Sequence, residues 1–168
     1  KDLSPTFDKK RSARADRLYF NADGTIRKGI PTLRGVGIAD ARSKIQIDRY
    51  SALSKDGAAV SFLNDAVKFV GWKVALDGKN AWVQFDDVDF GKKALPTVTA
   101  RARSSTGGRT ELHADTVDGP LVARVDFAQG TDWSVVKAKV AIAPAGVHNL
   151  VVTMAGEGRV EVDWVSFE

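Results

Sequence analysis

Two of the four tryptophans stand where the chain is expected to turn. Trp133 ends the turn sequence QGTDW, residues 129–133, at the start of a predicted strand, and Trp72 precedes the polar stretch KVALDGKN, residues 73–80. An indole exposed at a loop tip offers a flat apolar face, which suits the apolar C–H face of a pyranose ring. This placement predicts a surface on which a sugar stacks, with burial of both indoles in the core as the alternative.

A second group of residues offers oxygen ligands for a hard cation. Gln46 and Asp48 share one face of a predicted strand, residues 45–49, because Ile45 and Ile47 take the other face. Asp163 lies in the last predicted strand. If the first and last strands are neighbours, these side chains converge on an ion such as Ca²⁺, which prefers carboxylate, amide and carbonyl oxygens. The alternative is that they are ordinary surface side chains.

The chain contains no residue set that is typical of an active site. It has no cysteine, and its two histidines, His113 and His148, stand in no motif for nucleophilic or metal chemistry. Carboxylates such as Asp86 and Glu111 are available for glycosidase chemistry, but their spacing does not place any two at the separation of about 5 or 6.5–9.5 Å that this chemistry needs. The sequence therefore predicts no intrinsic catalysis.

Short strands are expected to position these residues. From Ile45 onward, runs rich in Val, Phe, Trp and Thr alternate with turn residues. The predicted strands are residues 45–49, 67–72, 81–87, 97–103, 110–114, 121–127, 134–142, 147–154 and 159–167. Val98, Ala100 and Ala102 share one face of their strand, as a half-buried antiparallel strand requires. The pattern predicts an all-β sandwich of two sheets, a jelly roll, with a closed barrel as the alternative.

The first 42 residues differ from the rest in pattern and charge. They show no sustained period of 2 or 3.6, and the first 50 residues carry 12 Lys and Arg against 6 Asp and Glu. In the basic run KKRSARADR, residues 9–17, the positive charges are mixed with Asp16 and no aromatic residue lies between them. This pattern indicates an extended, solvated lead-in and no nucleic-acid partner. No apolar run approaches the ~20 residues of a membrane span, and the N-terminus lacks the apolar stretch of a signal peptide.

The ordered pieces of residues 45–168 resemble a family 6 carbohydrate-binding module. These pieces are IQIDRYS, AWVQFDDVDFG, VTARARSSTGG, TELHADTVDGPLVARV, GTDW, GVHNLVVTMAG and VEVDWVSFE. In the lead-in, DRLYFNADGTI and PTLRGVG are similar to the end of a family 43 glycoside hydrolase and its connector; such enzymes act as β-xylosidases or α-L-arabinofuranosidases. The resemblance implies a lead-in over residues 1–42 and a galactose-binding-domain-like jelly roll over residues 43–168.

The resemblance also implies roles for individual residues. Gln46, Asp48 and Asp163, with backbone oxygens, match a structural Ca²⁺ site. Trp133 and Trp72 match the two aromatic side chains that sandwich a pyranose, and Glu161, at the family's asparagine position, orients the sugar hydroxyls together with Asn80. Trp82 and Glu111 match positions of a second cleft on the concave sheet face.

These implications lead to a functional hypothesis and one alternative. We expect a non-catalytic module of a secreted enzyme, extracellular or periplasmic, that holds a family 43-type catalytic domain near a plant cell-wall polysaccharide such as xylan or arabinoxylan. The alternative is a structural accessory domain that packs on the catalytic domain and has lost sugar binding. That alternative predicts a large apolar patch on the lead-in and no exposed pair of indoles.

Overall fold

The computed structural model describes residues 15–29, 31–32 and 34–168, and its regular structure is almost entirely β. One short 3₁₀ helix, Lys68–Val70, interrupts the strands. The strands are β1 Ala39–Asp40, β2 Ile45–Gln46, β3 Ala52–Leu53, β4 Ala58–Phe62, β5 Trp72–Asp77, β6 Trp82–Asp89, β7 Thr97–Ser104, β8 Gly108–Ala114, β9 Leu121–Phe127, β10 Gly130–Lys139, β11 Val147–Met154 and β12 Arg159–Phe167.

These strands form two six-stranded sheets. The first sheet has the order β1-β6-β11-β8-β9, with β3 also paired to β6, and the second has the order β10-β7-β12-β5-β4, with β2 also paired to β12. The pairing of β1 with β6 is parallel, and the other strand pairs are antiparallel. The predicted two-sheet sandwich is confirmed.

The core lies between the sheets and is built by alternation along each strand. In β7, Val98, Ala100 and Ala102 are buried as predicted, and Arg101 and Arg103 point to the other face. The largest fully buried side chains come from both sheets: Phe85, Phe90, Phe167, Ile47, Leu76, Leu112, Leu150, Val74, Val83, Val88, Val98 and Val122. Burial of one such side chain stabilises the fold by about 1.5–3 kcal/mol, so the sandwich needs no disulfide.

A β-bulge at Asp163 changes the alternation in the last strand. The register of β12 against β7 shifts between Val162 and Trp164. An extra residue in one strand exchanges the faces of the residues that follow it. Because of the bulge, Val162, which precedes it, and Phe167, which follows it, both face the core. Glu161 precedes the bulge and lies on the outer face of the second sheet.

The predicted strand over residues 67–72 and the polar loop after it are wrong. The 3₁₀ helix occupies most of that segment, and β5 begins at Trp72 and continues to Asp77. Val74 and Leu76 are fully buried. The physical reason for the error is that only two alternate residues of the stretch enter the core, between a lysine and an aspartate, so the segment looks polar although it is a central strand.

The described part of the lead-in lies against the first sheet. Phe20 and Ile26 form an isolated antiparallel bridge. Arg17 makes an ion pair of 2.6 Å with Asp87, and Arg34 donates from Nε to the carbonyl of Asp86 at 2.9 Å. Residues 1–14 of the predicted lead-in lie outside the described residues, and the division at residue 42 stays a prediction. In the part of the chain that the structure describes, no helix is long and apolar enough to cross a membrane.

Candidate functional site

The outer face of the second sheet carries a charge cluster, defined here as Lys73, Asp77, Arg103, Arg159 and Glu161. Three adjacent strands supply it: β7, β12 and β5. Glu161 lies opposite Arg103 on one side and opposite Ala75 on the other. Because side chains two residues apart share a face, Lys73 and Asp77 stand beside Glu161 as well.

Glu161 is the centre of the hydrogen bonds in this cluster. Its Oε2 accepts from Lys73 Nζ at 2.9 Å and from Arg103 Nε at 2.7 Å. Its Oε1 accepts from Arg159 Nη2 at 3.2 Å. Arg159 Nη1 donates to Asp77 Oδ2 at 3.0 Å. Three cations therefore surround the carboxylate of Glu161, and one of them, Arg159, also binds the carboxylate of Asp77.

These contacts determine the charge state of Glu161. Burial raises the pKa of this carboxyl group, but the hydrogen bonds from Lys73, Arg103 and Arg159 outweigh burial and lower the pKa to about 2. Only 13% of the side chain is exposed. Glu161 is consequently ionised at neutral pH, and the charge cluster holds three positive and two negative groups.

A cleft of about 280 Å³ opens beside the cluster. We call it the basic cleft; its lining residues are Arg103, Ser105, Gly130, Thr131, Arg159 and Glu161. Trp133 lies in β10 next to this lining. The Cζ atoms of Arg101 and Arg103 lie 4.9 and 5.1 Å from the centroid of its ring, so cation–π contacts hold the indole on the outer face.

The structure does not bring Trp72 to Trp133. Trp72 shares the alternation of Val74 and Leu76 and so lies on the core-facing side of the second sheet. Its ring packs on Phe62, with centroids 4.1 Å apart and an interplanar angle of 33°. The two indoles therefore lie on opposite faces of this sheet.

Asn80 lies at a different cleft from Glu161. It follows β5 with φ of 74°, a left-handed conformation that asparagine tolerates. Together with Trp82 and Asp77 it lines a cleft of about 420 Å³. Asn80 and Trp82 are thus brought together, and Asn80 and Glu161 line separate clefts.

Trp82 and Glu111 lie in one row across the first sheet. Thr153 of β11 is opposite both of them, on β6 and β8 respectively. Glu111 accepts from Arg124 Nε at 2.6 Å, and this hydrogen bond lowers the pKa of Glu111. Two strand spacings separate the indole from the carboxylate, roughly 10 Å, so both are present on one sheet face.

The predicted calcium ligands are brought together where β2 pairs with β12. Ile47 donates its backbone N–H to the carbonyl of Asp163 at 2.9 Å. Asp48 and Asp163 are both buried. Burial raises the pKa of Asp48, and the negative charge of Asp163 adds to this effect.

The donor set at this place fits Ca²⁺ by its chemistry. Two buried carboxylates that repel each other are stabilised by a cation, and the exposed amide of Gln46 is adjacent. Arg101 Nη1 already forms an ion pair with Asp163 Oδ2, so a bound cation would share that carboxylate with the guanidinium. Among the described residues, no group of three or more His, Asp or Glu is arranged for a metal ion, since this set contains only two carboxylates.

The sequence patterns did not reveal the charge cluster. The alternation in β7 places Arg101 and Arg103 on the solvent face, but it does not identify the strand beside them. The usable signal was the position of Glu161 in the last strand, where an acidic side chain between buried valines needs a cationic neighbour.

Apolar side chains are exposed on the lead-in. Leu18, Phe20, Ile26 and Ile38 are each more than half exposed. We call residues 18–27 the lead-in hairpin. This exposure and the separation of the two indoles are the features that the accessory-domain alternative predicts.

Comparison with known proteins identifies the family. The model of the family described as carbohydrate binding module (family 6) matches residues 54–168. The structure of CsCBM6-3 from Clostridium stercorarium in complex with cellobiose is similar, with a TM-score of 0.69 and 21% identity over 79% of this chain and 97% of that chain. No curated protein matches the chain.

Two further solved structures extend this comparison. A glycoside hydrolase family 43 arabinoxylan arabinofuranohydrolase from Bacillus subtilis, in complex with cellotetraose, has a TM-score of 0.70 and 19% identity over 90% of this chain and 33% of that chain. A module called CBM36, in complex with calcium and xylotriose, has a TM-score of 0.56 and 15% identity over 75% of this chain and 99% of that chain. At these identities the likeness shows a shared fold.

Proposed function

The chain belongs to carbohydrate binding module family 6, a family of non-catalytic binding modules, and we propose that it binds a plant cell-wall polysaccharide of the xylan or arabinoxylan type at the basic cleft. Trp133 is the stacking surface in this proposal, and Glu161 with its arginine partners orients the sugar hydroxyls. The single observation that carries the proposal is the position of an outward-facing indole beside a polar cleft.

The expected affinity follows from the size of this surface. An indole that covers ~100 Å² of a sugar face contributes about 2–3 kcal/mol. Thr131 and Ser105 line the cleft and supply further hydrogen-bonding groups. Because association itself costs free energy, a single indole with a few hydrogen bonds predicts dissociation constants of roughly micromolar to millimolar.

The proposal extends to a parent enzyme. The Bacillus subtilis arabinofuranohydrolase resembles this chain over 90% of its length, which includes part of the lead-in. We therefore propose a secreted parent glycoside hydrolase of the xylosidase or arabinofuranosidase type. A tethered module raises the effective concentration of polysaccharide at the catalytic domain without changing the chemistry.

We also propose a structural Ca²⁺ held by Gln46, Asp48, Asp163 and nearby backbone oxygens. The buried carboxylate pair supports this site, and the calcium in the CBM36 structure is a precedent within the fold. The ion would link β2 to β12 and so stabilise the first strands of the sandwich. Its role is in stability, since neither Gln46 nor Asp48 lines the basic cleft.

Calorimetric titration with xylotetraose and cellotetraose tests the proposal. Trp133→Ala should abolish measurable binding, and Trp82→Ala, an equal loss of indole on the other sheet, should leave it unchanged. Loss of binding in Trp82→Ala alone would move the site to the row of Trp82 and Glu111. Absence of heat with every oligosaccharide tested, from a folded sample, would contradict the proposal.

The accessory-domain function is a second candidate, favoured by the exposed lead-in hairpin. Its Leu18, Phe20 and Ile26 would pack on a catalytic domain. Replacing these three by Ser in the intact parent enzyme should then lower the unfolding temperature of the catalytic domain. An unchanged unfolding temperature would contradict this second candidate.

A further inference from the structure

The basic cleft carries an excess of positive charge that neutral sugars do not require. Among the described residues, the ion pairs of Lys73, Arg103 and Arg159 are all with Glu161 or Asp77, which leaves one positive charge of the cluster uncompensated. The neighbouring pair of Arg101 and Asp163 adds one charge of each sign. The excess therefore belongs to the cluster at the cleft.

The two arginines of the cleft also retain unused donors. Arg103 donates from Nε to Glu161, and from Nη1 at 3.5 Å to the carbonyl of Thr131; within the described residues its Nη2 has no acceptor. Arg159 uses Nη1 and Nη2 for Asp77 and Glu161, and its Nε has none among the same residues. About a third of the Arg103 side chain and 40% of the Arg159 side chain are exposed.

We propose that the basic cleft selects sugars that carry a carboxylate, so that its ligand is a uronic-acid-bearing stretch of polysaccharide. This inference rests on the proposed function and names its substrate class. The carboxylate lies against the free edges of Arg103 and Arg159, and the ring that carries it, or the next ring along the chain, lies near Trp133.

A carboxylate fits these donors better than a hydroxyl does. It is planar and accepts two N–H groups at once, and hydrogen bonds between ions of opposite charge are about twice as strong as neutral ones. Repulsion from Glu161 opposes binding, but Glu161 already has three cationic partners. A hydroxyl gains less from the uncompensated charge, because it interacts with the guanidinium as a dipole and not as an ion.

Titration of the whole chain with two matched pairs of oligosaccharides tests the inference. The first pair is xylotetraose and the same tetramer bearing one glucuronic acid; the second is cellotetraose and its C6-oxidised, glucuronate-containing counterpart. In each pair the backbone is constant and the carboxylate is the variable. We expect the acidic member of at least one pair to bind at least about tenfold more tightly.

Salt and two variants locate the preference. Raising the ionic strength from about 0.05 to about 0.5 M should weaken the binding of the acidic oligosaccharide and leave the affinity for the neutral one unchanged. Arg159→Gln should reduce the preference to about threefold or less. Arg109→Gln, which removes an exposed arginine paired with Asp126 on the other sheet, should keep it. If Arg159→Gln does not fold, the salt comparison on the unmodified chain still tests whether the preference is electrostatic, and a preference that persists at high salt overturns the inference.

The outcomes separate this inference from the function on which it rests. Equal affinity within both pairs would overturn the inference and leave sugar binding intact. A preference that survives both high salt and Arg159→Gln would overturn the assignment to the basic cleft. Binding of no member of either pair would overturn the inference together with the proposed function.

Discussion

At the scale of single residues, charged side chains govern both the candidate site and its stability. Glu161 holds Lys73, Arg103 and Arg159 in one cluster. Lys73 is buried, and a buried ammonium group without a partner is costly. Glu161 is therefore a structural centre of the outer face as well as part of the cleft lining.

Glu161→Ala should lower the free energy of unfolding by about 1–3 kcal/mol, because it leaves Lys73 buried without its carboxylate. Glu111→Ala is the matched control; it removes a glutamate whose partner, Arg124, is 57% exposed, and it should cost less than about 1 kcal/mol. Urea unfolding of both variants measures the difference. Equal costs would show that the cluster contributes no more than a surface ion pair.

Asp48→Asn should stabilise the chain when calcium is absent and should remove the stabilisation that calcium gives. Burial and the charge of Asp163 disfavour the ionised form of Asp48, so the neutral amide should raise the unfolding temperature in EGTA. The same change removes a proposed calcium ligand, so it should also abolish the rise in unfolding temperature that we expect added Ca²⁺ to give the unmodified chain. A calcium-dependent rise that persists in Asp48→Asn would contradict the proposed ion site.

At the scale of elements, strands rich in β-branched and aromatic residues could be predicted from the sequence, and a strand with few of them could not. The bounds of β9, β11 and β12 agree with the patterns. In β5 only Val74 and Leu76 signal the core, so the strand was missed. Of the candidate site, the strand start predicted at Trp133 was wrong, because β10 begins three residues earlier, at Gly130. The neighbours of Glu161 depend on the strand order, which periodicity does not encode.

Gly57→Ala should destabilise the sandwich more than Gly78→Ala does. Gly57 precedes β4 and packs closely on the end of β5, so an added methyl group there would collide with the backbone. Both glycines have left-handed backbones, but a Cβ at Gly57 would lie 2.5 Å from the carbonyl of Asp77, whereas a Cβ at Gly78 meets nothing within 4 Å. We expect losses of about 1 kcal/mol at Gly78 and at least about 2 kcal/mol at Gly57. Thermal unfolding compares them, and equal losses would show that this approach can relax.

At the scale of the whole molecule, the two sheets present different outer faces. The second sheet carries Trp133 and the charge cluster, and the first sheet carries the row of Trp82 and Glu111 and contacts the lead-in through Asp87. In our proposal, sugar binding belongs to the second sheet, and contact with a parent enzyme belongs to the lead-in.

Nuclear magnetic resonance titration with xylotetraose tests this division most directly, because backbone amide shifts report which face the sugar contacts. We predict the largest shifts at Arg103, Gly130, Thr131 and Trp133. Largest shifts at Trp82, Glu111 and Thr153, or no shifts at saturating sugar, would contradict the assignment of the binding site to the basic cleft.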